Sequence, residues 1–397
     1  MKPLNFTLLF FLFFKFSILF SQTKTPEAWQ ALIGGEEYAN SKSKDLVTSI
    51  YENDYSYALT GFSMIVEKYF QARTDKSGKV LSWKFFDDQL LTIYAEIQTP
   101  DKGFIFSATL PDESYNKFPL LFKTDSSGNI LWKKEYREYP EKNSKYWVIK
   151  AIVPTDSGYL LFMQINLNSI LLLKINEEGE KIFSKEISLT DYEYEIFNQF
   201  IILKSGDFFI CGSSDMLPSN QKQQDTRVIK LSSDGNIIWK KNYGIEDVAD
   251  YPNCILATKD GGCIIGGGKQ KADIHSVENR LIKIDADGNI QWQKNYGSGL
   301  LQKVCEVSDA YIFNTTPVEK EGIMTVLKLD INGNIIITGD FMAVTGAGAI
   351  CPTKDGGFIS ATQCTKYGAI GEDVLLIKVD KNWKTGTAPK RKAWVKK

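Results

Sequence analysis

A hairpin pattern that recurs about every 50 residues constrains the fold more than any other feature of this sequence. Its clearest copy runs from Leu281 to Gly297 and reads LIKIDADGNIQWQKNYG. Two alternating runs flank Asp-Ala-Asp-Gly-Asn, in which Asp and Asn favour local turn hydrogen bonds and Gly permits a positive φ. The pattern therefore predicts two antiparallel strands joined by a tight turn. Successive copies lie 45 to 56 residues apart and align on seven basic residues: Arg73, Lys123, Lys174, Lys230, Lys283, Lys328 and Lys378.

A second hairpin precedes each copy. Its clearest examples are DGGCIIGGG at 260–268 and DGGFISAT at 355–362. Each unit thus contains four short strands, and we find no long stretch with the 3.6-residue period of a helix. Four strands per unit of this length are the content of a propeller blade. We therefore predict an all-β, seven-bladed β-propeller with four antiparallel strands per blade.

The ends of the chain predict how the ring closes. The seventh unit has a third strand, VLLIKVD at 374–380, but no tryptophan-bearing fourth strand closely behind it. Residues 29–35, WQALIGG, match residues 292–297, WQKNYG. We predict that this N-terminal segment supplies the fourth strand of the last blade, beside Leu375 to Val379, which removes an exposed sheet edge. Trp394 near the C-terminus is the rival candidate.

The sequence predicts three parts: a signal peptide at 1–21, the propeller at 22–383 and a basic tail at 384–397. The first part has a basic start, an apolar run from Leu8 to Phe14 and a small residue, Ser21, at its end, as secretory signal peptides do. Nothing later in the chain is apolar enough to span a bilayer. We expect an exported protein in the periplasm, at the cell surface or outside the cell, with the tail as a solvated terminus.

Charge argues against nucleic acid as a partner. Of the 47 basic residues, two lie in 1–21 and six from Lys384 onward, whereas none of the 48 acidic residues does, so residues 22–383 carry a net charge of −9. Proteins that bind nucleic acid carry basic surfaces instead. The sequence therefore favours a partner other than nucleic acid.

Aromatic residues and cysteines are interpreted as packing residues. The six cysteines lie in or beside apolar strands of the second half, without a CxxC pair, so neither a metal site nor a redox motif is indicated. Disulfides and buried thiols both remain open. We assign one aromatic residue in each of five units to corresponding positions of the fourth strand: Trp83, Trp132, Phe183, Trp239 and Trp292.

Long loops predict where a ligand binds. The connections from second to third strands, such as 213–226, and those between units, such as 244–252, are long. In a propeller these connections share one face, the long-loop face, whereas the tight turns form the other, and functional residues concentrate on such loops. The candidate binding residues are carboxylates, tyrosines and the single histidine: Asp191, Tyr192, Glu193, Asp215, Glu246, Asp247, Tyr251 and His275.

We predict no catalytic residue, no metal and no cofactor. His275 is the only histidine and no G-x-S-x-G motif accompanies it, so a nucleophilic triad has no support. The segment from Asp285 to Gly288 offers too few oxygens for calcium, and the glycines of the DGG turns are not followed by helices that would cradle a phosphate. Paired loop acids such as Asp191 and Glu193 leave acid/base work on a glycan open.

The unit W-x-K-x-Y-G-G, DGG-Y-I-x-x-G, L-x-K-L-D-x-x-G-N-x-x-W resembles the repeat of secreted, Bacteroidetes-type propeller-like proteins over nearly the whole of 22–383. The half-unit K-x-D-x-x-G-N-x-x-W is similar to the tryptophan repeat of quinoprotein-like propellers. Those rings usually have eight blades, and the quinone dehydrogenases among them carry a vicinal disulfide that this chain lacks. The resemblance thus implies a propeller but no quinone cofactor and no site residues.

Taken together, these patterns favour an exported, non-catalytic binding or scaffold module that engages a protein or a glycan through its long-loop face. One alternative is a glycan-active hydrolase or lyase that uses loop carboxylates. Another is a subunit of a cell-envelope assembly.

Overall fold

The computed structural model describes residues 28–33, 43–86, 92–111, 117–137, 148–166, 169–189, 195–215, 224–244, 248–271, 277–317, 319–320, 322–342, 348–364 and 371–386. These residues form 28 β-strands and no helix. Over the same ranges, accordingly, no helix is long and apolar enough to cross a bilayer. The predicted signal peptide at 1–21 and most of the predicted tail, from Thr387 on, lie outside the described residues.

Each blade is an antiparallel meander of four strands. The first three blades comprise β2 (Ser43–Glu52), β3 (Ser56–Ser63), β4 (Lys68–Asp75) and β5 (Val80–Phe85); β6 (Thr92–Gln98), β7 (Phe104–Pro111), β8 (Lys117–Thr124) and β9 (Ile130–Glu135); β10 (Val148–Thr155), β11 (Gly158–Gln164), β12 (Ser169–Ile175) and β13 (Lys181–Ser188). The next three comprise β14 (Glu195–Ile202), β15 (Phe208–Asp215), β16 (Gln224–Leu231) and β17 (Ile237–Tyr243); β18 (Val248–Ala257), β19 (Cys263–Lys271), β20 (Glu278–Ile284) and β21 (Ile290–Ser298); β22 (Leu300–Val307), β23 (Ala310–Thr316), β24 (Ile323–Leu329) and β25 (Ile335–Met342). The seventh comprises β26 (Ala349–Pro352), β27 (Phe358–Cys364), β28 (Gly371–Val379) and β1 (Trp29–Ile33).

The first strand of every blade lies innermost. First strands of neighbouring blades contact each other from β6 through β10, β14, β18, β22 and β26 to β2. A hydrogen bond of 2.9 Å from Thr48 on β2 to Glu96 on β6 joins the remaining pair. Apolar side chains fill the space between blades, as where Ile105 and Leu121 of the second blade cluster with Ile152 of the third. The prediction of a seven-bladed, all-β propeller is confirmed.

The N-terminal strand closes the ring. Strand β1 pairs antiparallel with β28, and Trp29 lies opposite Lys378. This is the register of the fifth blade, where Trp292 lies opposite Lys283. The predicted closure through Trp29 is therefore confirmed. Beyond it, the start of β2 pairs in parallel with the start of β28, which joins the first and last blades into one hydrogen-bonded sheet.

Turn chemistry explains why the Asp-x-x-Gly-Asn segment recurs. In the fifth blade, Asp285 Oδ1 accepts hydrogen bonds from the backbone amides of Asp287 (2.9 Å) and Asn289 (2.8 Å). Gly288 adopts a φ of 76°, a left-handed conformation that glycine tolerates without a Cβ clash. The seventh blade has Trp383 at the corresponding turn position, with a φ of 63°. Its ring packs on Phe358 at a centroid distance of 5.3 Å, so tertiary contacts hold a residue that the turn alone would disfavour.

The W-x-K-x-Y motif is complete in the fourth strands of the second, fourth and fifth blades, and it joins each of these blades to the next. Trp292 Nε1 donates to the carbonyl of Ile331 at 2.9 Å, and Tyr296 donates its hydroxyl hydrogen to the carbonyl of Gly333 at 2.8 Å. Lys294 Nζ donates to Asn334 Oδ1 at 2.6 Å in the same turn. All three acceptors belong to the tight turn of the sixth blade. The motif is therefore structural, as its assignment to packing predicted.

Trp83 does not share this position, contrary to the prediction. It pairs with Ala72, and Ser82 pairs with Arg73, whereas Trp132 pairs with Lys123 in the second blade. Since successive side chains of a strand point to opposite faces, one residue of offset turns Trp83 to the opposite face of its blade, where it packs on the cluster between the first and seventh blades. It stacks instead on Phe70 of its own blade, with ring centroids 4.3 Å apart.

A buried lysine ties the two tight turns of a blade together. The Lys283 side chain is 2% exposed, and its ammonium donates to Asp260 Oδ2 at 2.7 Å and to the carbonyl of Ile284 at 2.9 Å. Lys378 repeats the arrangement with Asp355 at 2.7 Å. Although burial raises the pKa of Asp260, hydrogen bonds from Lys283, Thr258 and a backbone amide outweigh it and lower that pKa to about 2.

Substituting this lysine provides a test. In Lys283→Met, we expect the pKa of Asp260 to rise from about 2 toward its ordinary value of 3.8, because the side-chain hydrogen bond and the charge are both lost. Carboxyl-carbon NMR against pH measures this shift. Lys294→Met is the control, since it removes an equal charge from the outer strand and should leave Asp260 unchanged. With the lysine present, the contribution of Asp260 to stability should be complete above about pH 4 and decline toward pH 2.

All six cysteines lie in described strands, and none forms a disulfide. Desolvation raises the pKa of Cys254 to about 12 and that of Cys305 to about 11. Such thiols are protonated at neutral pH and pack as small apolar side chains.

Candidate functional site

The two faces of the ring carry different kinds of connection between strands. Tight turns after the first and third strands of each blade lie on one face. The connections from second to third strands and from blade to blade lie on the other, the long-loop face. Of the eight candidate binding residues, the structure describes the backbone of Asp215, at the end of β15, and all of Tyr251 on β18. The other six lie outside the described residues: Asp191, Tyr192, Glu193, Glu246, Asp247 and His275.

Tyr251 is positioned at the long-loop end of the fifth blade. It lies in the half of β18 that is nearer to the long-loop face, opposite Gly268, and its side chain is 39% exposed. Its neighbour Asp250 points inward and is buried. The structure thus leaves Tyr251 available to a ligand, and it brings none of the other candidates to Tyr251 within the described ranges.

A β-bulge interrupts the innermost strand of six blades at one equivalent position. In β18, Pro252 pairs with Gly267 and Cys254 with Gly266, so Asn253 is the extra residue. Each bulged residue lies five positions before the residue that opens the tight turn, which places all of them roughly 16 Å from the tight-turn face at about 3.3 Å per residue. The bulged residues are Thr48, Tyr94, Lys150, Asn198, Asn253 and Gln302.

We call the five bulged residues with described side chains, all of those above except Asn198, the bulge ring. By the register of β26 with β27, Gly348 occupies the corresponding place in the seventh blade. A side chain there would collide with the carbonyl of Ala361, 1.6 Å from an ideal Cβ. The ring of side chains is therefore interrupted at the seventh blade. Bulges commonly re-aim side chains near functional sites, and here the re-aimed residues are all polar.

A cavity of about 500 Å³ opens between the innermost strands of four consecutive blades, which places it on the axis of the ring. Its wall includes Asn253 and Gln302 of the bulge ring, together with Gln199, Lys303 and Glu306. This volume lies within the range of about 300 to 1,000 Å³ that small-molecule sites occupy. The wall offers amide donors and acceptors and both signs of charge.

We call the space along the axis, between the innermost strands, the axial channel. The charged side chains on these strands differ in whether a neighbouring group pairs with them. Glu96 Oε1 accepts hydrogen bonds from Thr48 (2.9 Å) and Thr60 (2.7 Å). Glu306 pairs with Lys259 at 3.1 Å. Lys150, by contrast, is half-buried, and desolvation lowers the pKa of its ammonium. Its ammonium nitrogen lies 5.8 Å from the centroid of the Tyr94 ring.

A second polar feature is buried beside Tyr251. The Arg280 guanidinium donates to Asp250 Oδ1 at 2.5 Å, and both side chains are almost fully buried. Asp250 Oδ2 and Arg280 Nε have no hydrogen-bond partner among the described residues. Both residues line a cavity of about 10 Å³, room for about one water molecule. Desolvation raises the pKa of Asp250 to about 6 despite the guanidinium.

No group of three or more His, Cys, Asp and Glu side chains converges on a metal-sized site within the part of the chain that the structure describes. The arrangement on the axis can donate and accept hydrogen bonds and can offer positive charge. Reasoning from the sequence missed the bulge ring, whose only signal is a polar residue directly after an apolar one, as in Ile149-Lys150.

The comparisons with known proteins show the fold. No protein-family model matches the chain, and no curated protein matches it significantly. A quinohemoprotein alcohol dehydrogenase, ADHIIG from Pseudomonas putida HK5, is 9% identical at a TM-score of 0.51, covering 93% of this chain and 78% of that one. A prolyl endopeptidase structure is 9% identical at a TM-score of 0.53, covering 86% of this chain and 48% of that one. A protein of unknown function from Dyadobacter fermentans DSM 18053 is 9% identical at a TM-score of 0.49, covering 88% and 96%.

These neighbours differ in function, and at such identities the likeness extends to the fold alone. They include the quinoprotein type to which the half-unit is similar. The chain spans about half the length of the prolyl endopeptidase chain. The functional argument therefore depends on the axial channel itself.

Proposed function

We propose that this protein is an exported, non-catalytic binding or scaffold module whose ligand enters from the long-loop face and reaches the axial channel. The observation that carries the proposal is a cavity of about 500 Å³ on the axis, whose wall includes Asn253 and Gln302 of the bulge ring. A packed structural core would fill this space with apolar side chains. Amide and charged side chains on an open wall instead suit recognition of a polar ligand.

Binding is favoured over hydrolysis by the state of the channel carboxylates. Glycosidases use two carboxyl groups that flank the scissile bond, one of them with a raised pKa. Within the described channel, Glu96 is held by two hydroxyls and Glu306 by Lys259. Both carboxylates are therefore held by neighbouring side chains of the protein. The export step follows from the signal-like segment at 1–21, and the partner class is a glycan or a protein surface that projects into the channel.

A binding screen with matched variants tests this function. The protein is screened against an array of glycans, and binders are measured by isothermal titration calorimetry. Replacing Asn253 and Gln302 together by alanine should weaken a true channel ligand about tenfold or more, since each amide supplies hydrogen bonds of about 1 kcal/mol. Asn382→Ala, an exposed amide on the tight-turn face, should leave affinity unchanged.

Two results would contradict the proposal. One is a ligand whose affinity is the same for the double variant and the parent. The other is release of glycan fragments from bound substrate, detected chromatographically, which would assign the protein to the hydrolase or lyase class.

A further inference from the structure

We propose that a phosphate or sulfate group binds between the first and second blades at the tight-turn face, where Arg73 supplies positive charge and Asn53 and Gln98 supply amide donors. This site is separate from the axial cavity, whose wall comes from the fourth to the seventh blades. The inference therefore goes beyond the proposed function and does not depend on it.

The register of the first blade places Asn53 beside Arg73. In the hairpin from β2 to β3, the backbone amide of Asn53 donates to the carbonyl of Ser56 at 2.8 Å, so the two side chains share one face of the blade. Ala58 lies on the same face, two residues after Ser56, and it pairs with Arg73. The Arg73 guanidinium donates to Ser56 Oγ at 3.3 Å, as this placement requires.

The second blade turns Gln98 toward the same face. Glu96, two residues before Gln98 on β6, accepts a hydrogen bond of 2.7 Å from Thr60 of the first blade. Alternate residues of a strand share a face, so Gln98 faces the first blade as well. It lies one step nearer to the tight turns than Glu96, which brings it to the level of Ala58, the partner of Arg73.

Hydrogen-bonding groups collect at this seam without partners. Asn53 is 5% exposed, and neither its Nδ2 nor its Oδ1 has a hydrogen-bond partner among the described residues. The same holds for Gln98 Nε2 and Arg73 Nε. Of the buried unpartnered amides in the described chain, only Asn53 lacks partners at both atoms. Buried polar atoms left unsatisfied are costly, so a group of them on one seam indicates a bound polar ligand.

Arg73 also lacks the acid that its counterparts have in four other blades. Ion pairs of 2.7 to 3.8 Å join an acidic residue to each of Lys123, Lys230, Lys283 and Lys378. Arg73 instead reaches two hydroxyls over long distances, 3.3 Å to Ser56 and 3.4 Å to Ser126 of the second blade. Lys174 and Lys328 have no acidic partner among the described residues either, but their tight turns contain no buried amide without a partner.

Acidic groups near the seam are already engaged. Asp54 pairs with Lys354, and Asp101 pairs with Lys123 at 3.2 Å. Asp75 Oδ1 accepts hydrogen bonds from two backbone amides of its own turn. None of these carboxylates bonds to Arg73, so its charge remains for an external anion.

The arrangement of donors favours a tetrahedral oxyanion. They come from four segments: Arg73 on β4, Asn53 directly after β2, Gln98 on β6 and Ser126 in the second tight turn of the second blade. A phosphate or sulfate group directs oxygens toward all four, whereas a carboxylate has two oxygens in one plane. Arg73 and Ser126 are partly exposed, so the group enters from the tight-turn face and the buried amides complete the site.

Calorimetry on the full chain at low ionic strength tests the site. The probes are inorganic sulfate, inorganic phosphate, glucose 6-phosphate and acetate. We expect sulfate and phosphate to bind about tenfold more tightly than acetate, and Arg73→Gln to weaken sulfate binding about tenfold. Asn53→Asp keeps the size of the side chain and places a carboxylate beside the guanidinium, so it should weaken sulfate binding by a similar factor.

Matched variants and NMR separate anion contact from folding. Lys174→Gln is the control, because Lys174 holds the corresponding position in the third blade and also lacks an acidic partner among the described residues; sulfate affinity should not change. Arg73→Lys keeps the charge and should retain part of the affinity. In ¹⁵N spectra, the side-chain amide signals of Asn53 and Gln98 should shift on addition of sulfate to the parent and not to Arg73→Gln.

Each outcome bears on the inference. Equal sulfate affinity of the parent and Arg73→Gln, or no binding of any anion at millimolar concentration, overturns it. Acetate binding as tight as that of sulfate overturns the assignment to a tetrahedral group. Sulfate binding without a shift of the Asn53 and Gln98 amides overturns their place in the site. Tighter binding of glucose 6-phosphate than of phosphate supports a larger ligand that carries the group, whereas the reverse order supports the free ion.

Discussion

Replacing Trp29 by alanine is expected to lower the free energy of unfolding by about 3 to 5 kcal/mol, the usual range for truncating a buried aromatic side chain. Trp29 is 7% exposed although it lies on an outermost strand. Its ring lies 6.0 Å from that of Tyr57 in the first blade. Its strand pairs with β28 in the seventh. One side chain thus stabilises the contact between the two blades where the chain begins and ends.

Chemical denaturation followed by tryptophan fluorescence measures this effect. Trp394→Ala is the matched control, because Trp394 was the alternative candidate for the closing strand and should change the unfolding free energy by less than about 0.5 kcal/mol. A Trp29→Ala variant as stable as the parent, or a larger effect from Trp394→Ala, would contradict closure by the N-terminal strand.

Replacing Arg280 by leucine is expected to destabilise the protein by about 3 to 5 kcal/mol at pH 8, because it leaves the buried carboxylate of Asp250 without its counter-charge. Leucine itself fits the position. Counting from the basic residue of each third strand, Leu120, Leu171 and Leu375 occupy the corresponding place in three other blades. The loss of stability should therefore come from the unpaired charge of Asp250 and not from a steric clash.

The pKa of Asp250 predicts in which direction the stability of the protein changes with pH. In the parent, the pKa of Asp250 is raised to about 6 in the folded state, chiefly by desolvation, from an ordinary value of 3.8. A carboxyl group whose folded pKa is raised stabilises the fold below its ordinary pKa and loses that contribution as pH rises to about 6. Asp225 and Lys269 also face this carboxyl, with opposite effects on its pKa.

Without Arg280, the folded pKa of Asp250 should rise further. The destabilisation should then be smaller at pH 5, where the carboxyl is protonated, than at pH 8. The double variant Arg280→Leu with Asp250→Asn removes both charges and should recover much of the lost stability. Urea denaturation at the two pH values measures the unfolding free energies of the parent, Arg280→Leu, Asp250→Asn and the double variant. Equal destabilisation at pH 5 and pH 8, or no recovery in the double variant, would show that the stranded charge is not the cause.

Much of the fold was predictable because its signals are local. The turn at Asp285 to Asn289 is specified by side chains that hydrogen-bond within five residues, and the alternation of Trp292, Lys294 and Tyr296 follows from the two-residue period of a strand. Repetition of these signals predicted seven blades. The similarity of Trp29-Gln-Ala to Trp292-Gln-Lys predicted the closing strand, and its register came from the structure.

The prediction failed at Trp83 for a physical reason. Lys123 and Trp132 are nine residues apart, whereas Arg73 and Trp83 are ten apart. One added residue moves a side chain to the other face of the sheet. Aligning the units by their shared residue types does not reveal this offset. Pairing with Ala72 and stacking on Phe70 show the outcome.

The candidate site was predicted less well. Loop acids and tyrosines were chosen because long loops commonly carry function, and of these Tyr251 is described as an exposed residue of β18. The bulge ring was missed because a bulge is a property of pairing between strands. Within its own strand, Lys150 looks like any polar residue in an alternating pattern. Asp250 was passed over although it is adjacent to Tyr251, since its partner Arg280 lies 30 residues away.

By itself, the sequence determined the strands, the turns and their number, because these depend on hydrogen bonds and side-chain alternation among residues close together in the chain. It determined the segment that closes the ring because residues 29–35 repeat the fourth-strand pattern of residues 292–297. Only the tertiary structure decided which polar residues meet. Lys150 and Lys303 lie on innermost strands because seven blades pack around one axis. Asp250 is buried against Arg280 because β18 and β20 belong to one blade, although the two residues are 30 positions apart in the chain. Such contacts join residues far apart in sequence, so no local pattern encodes them.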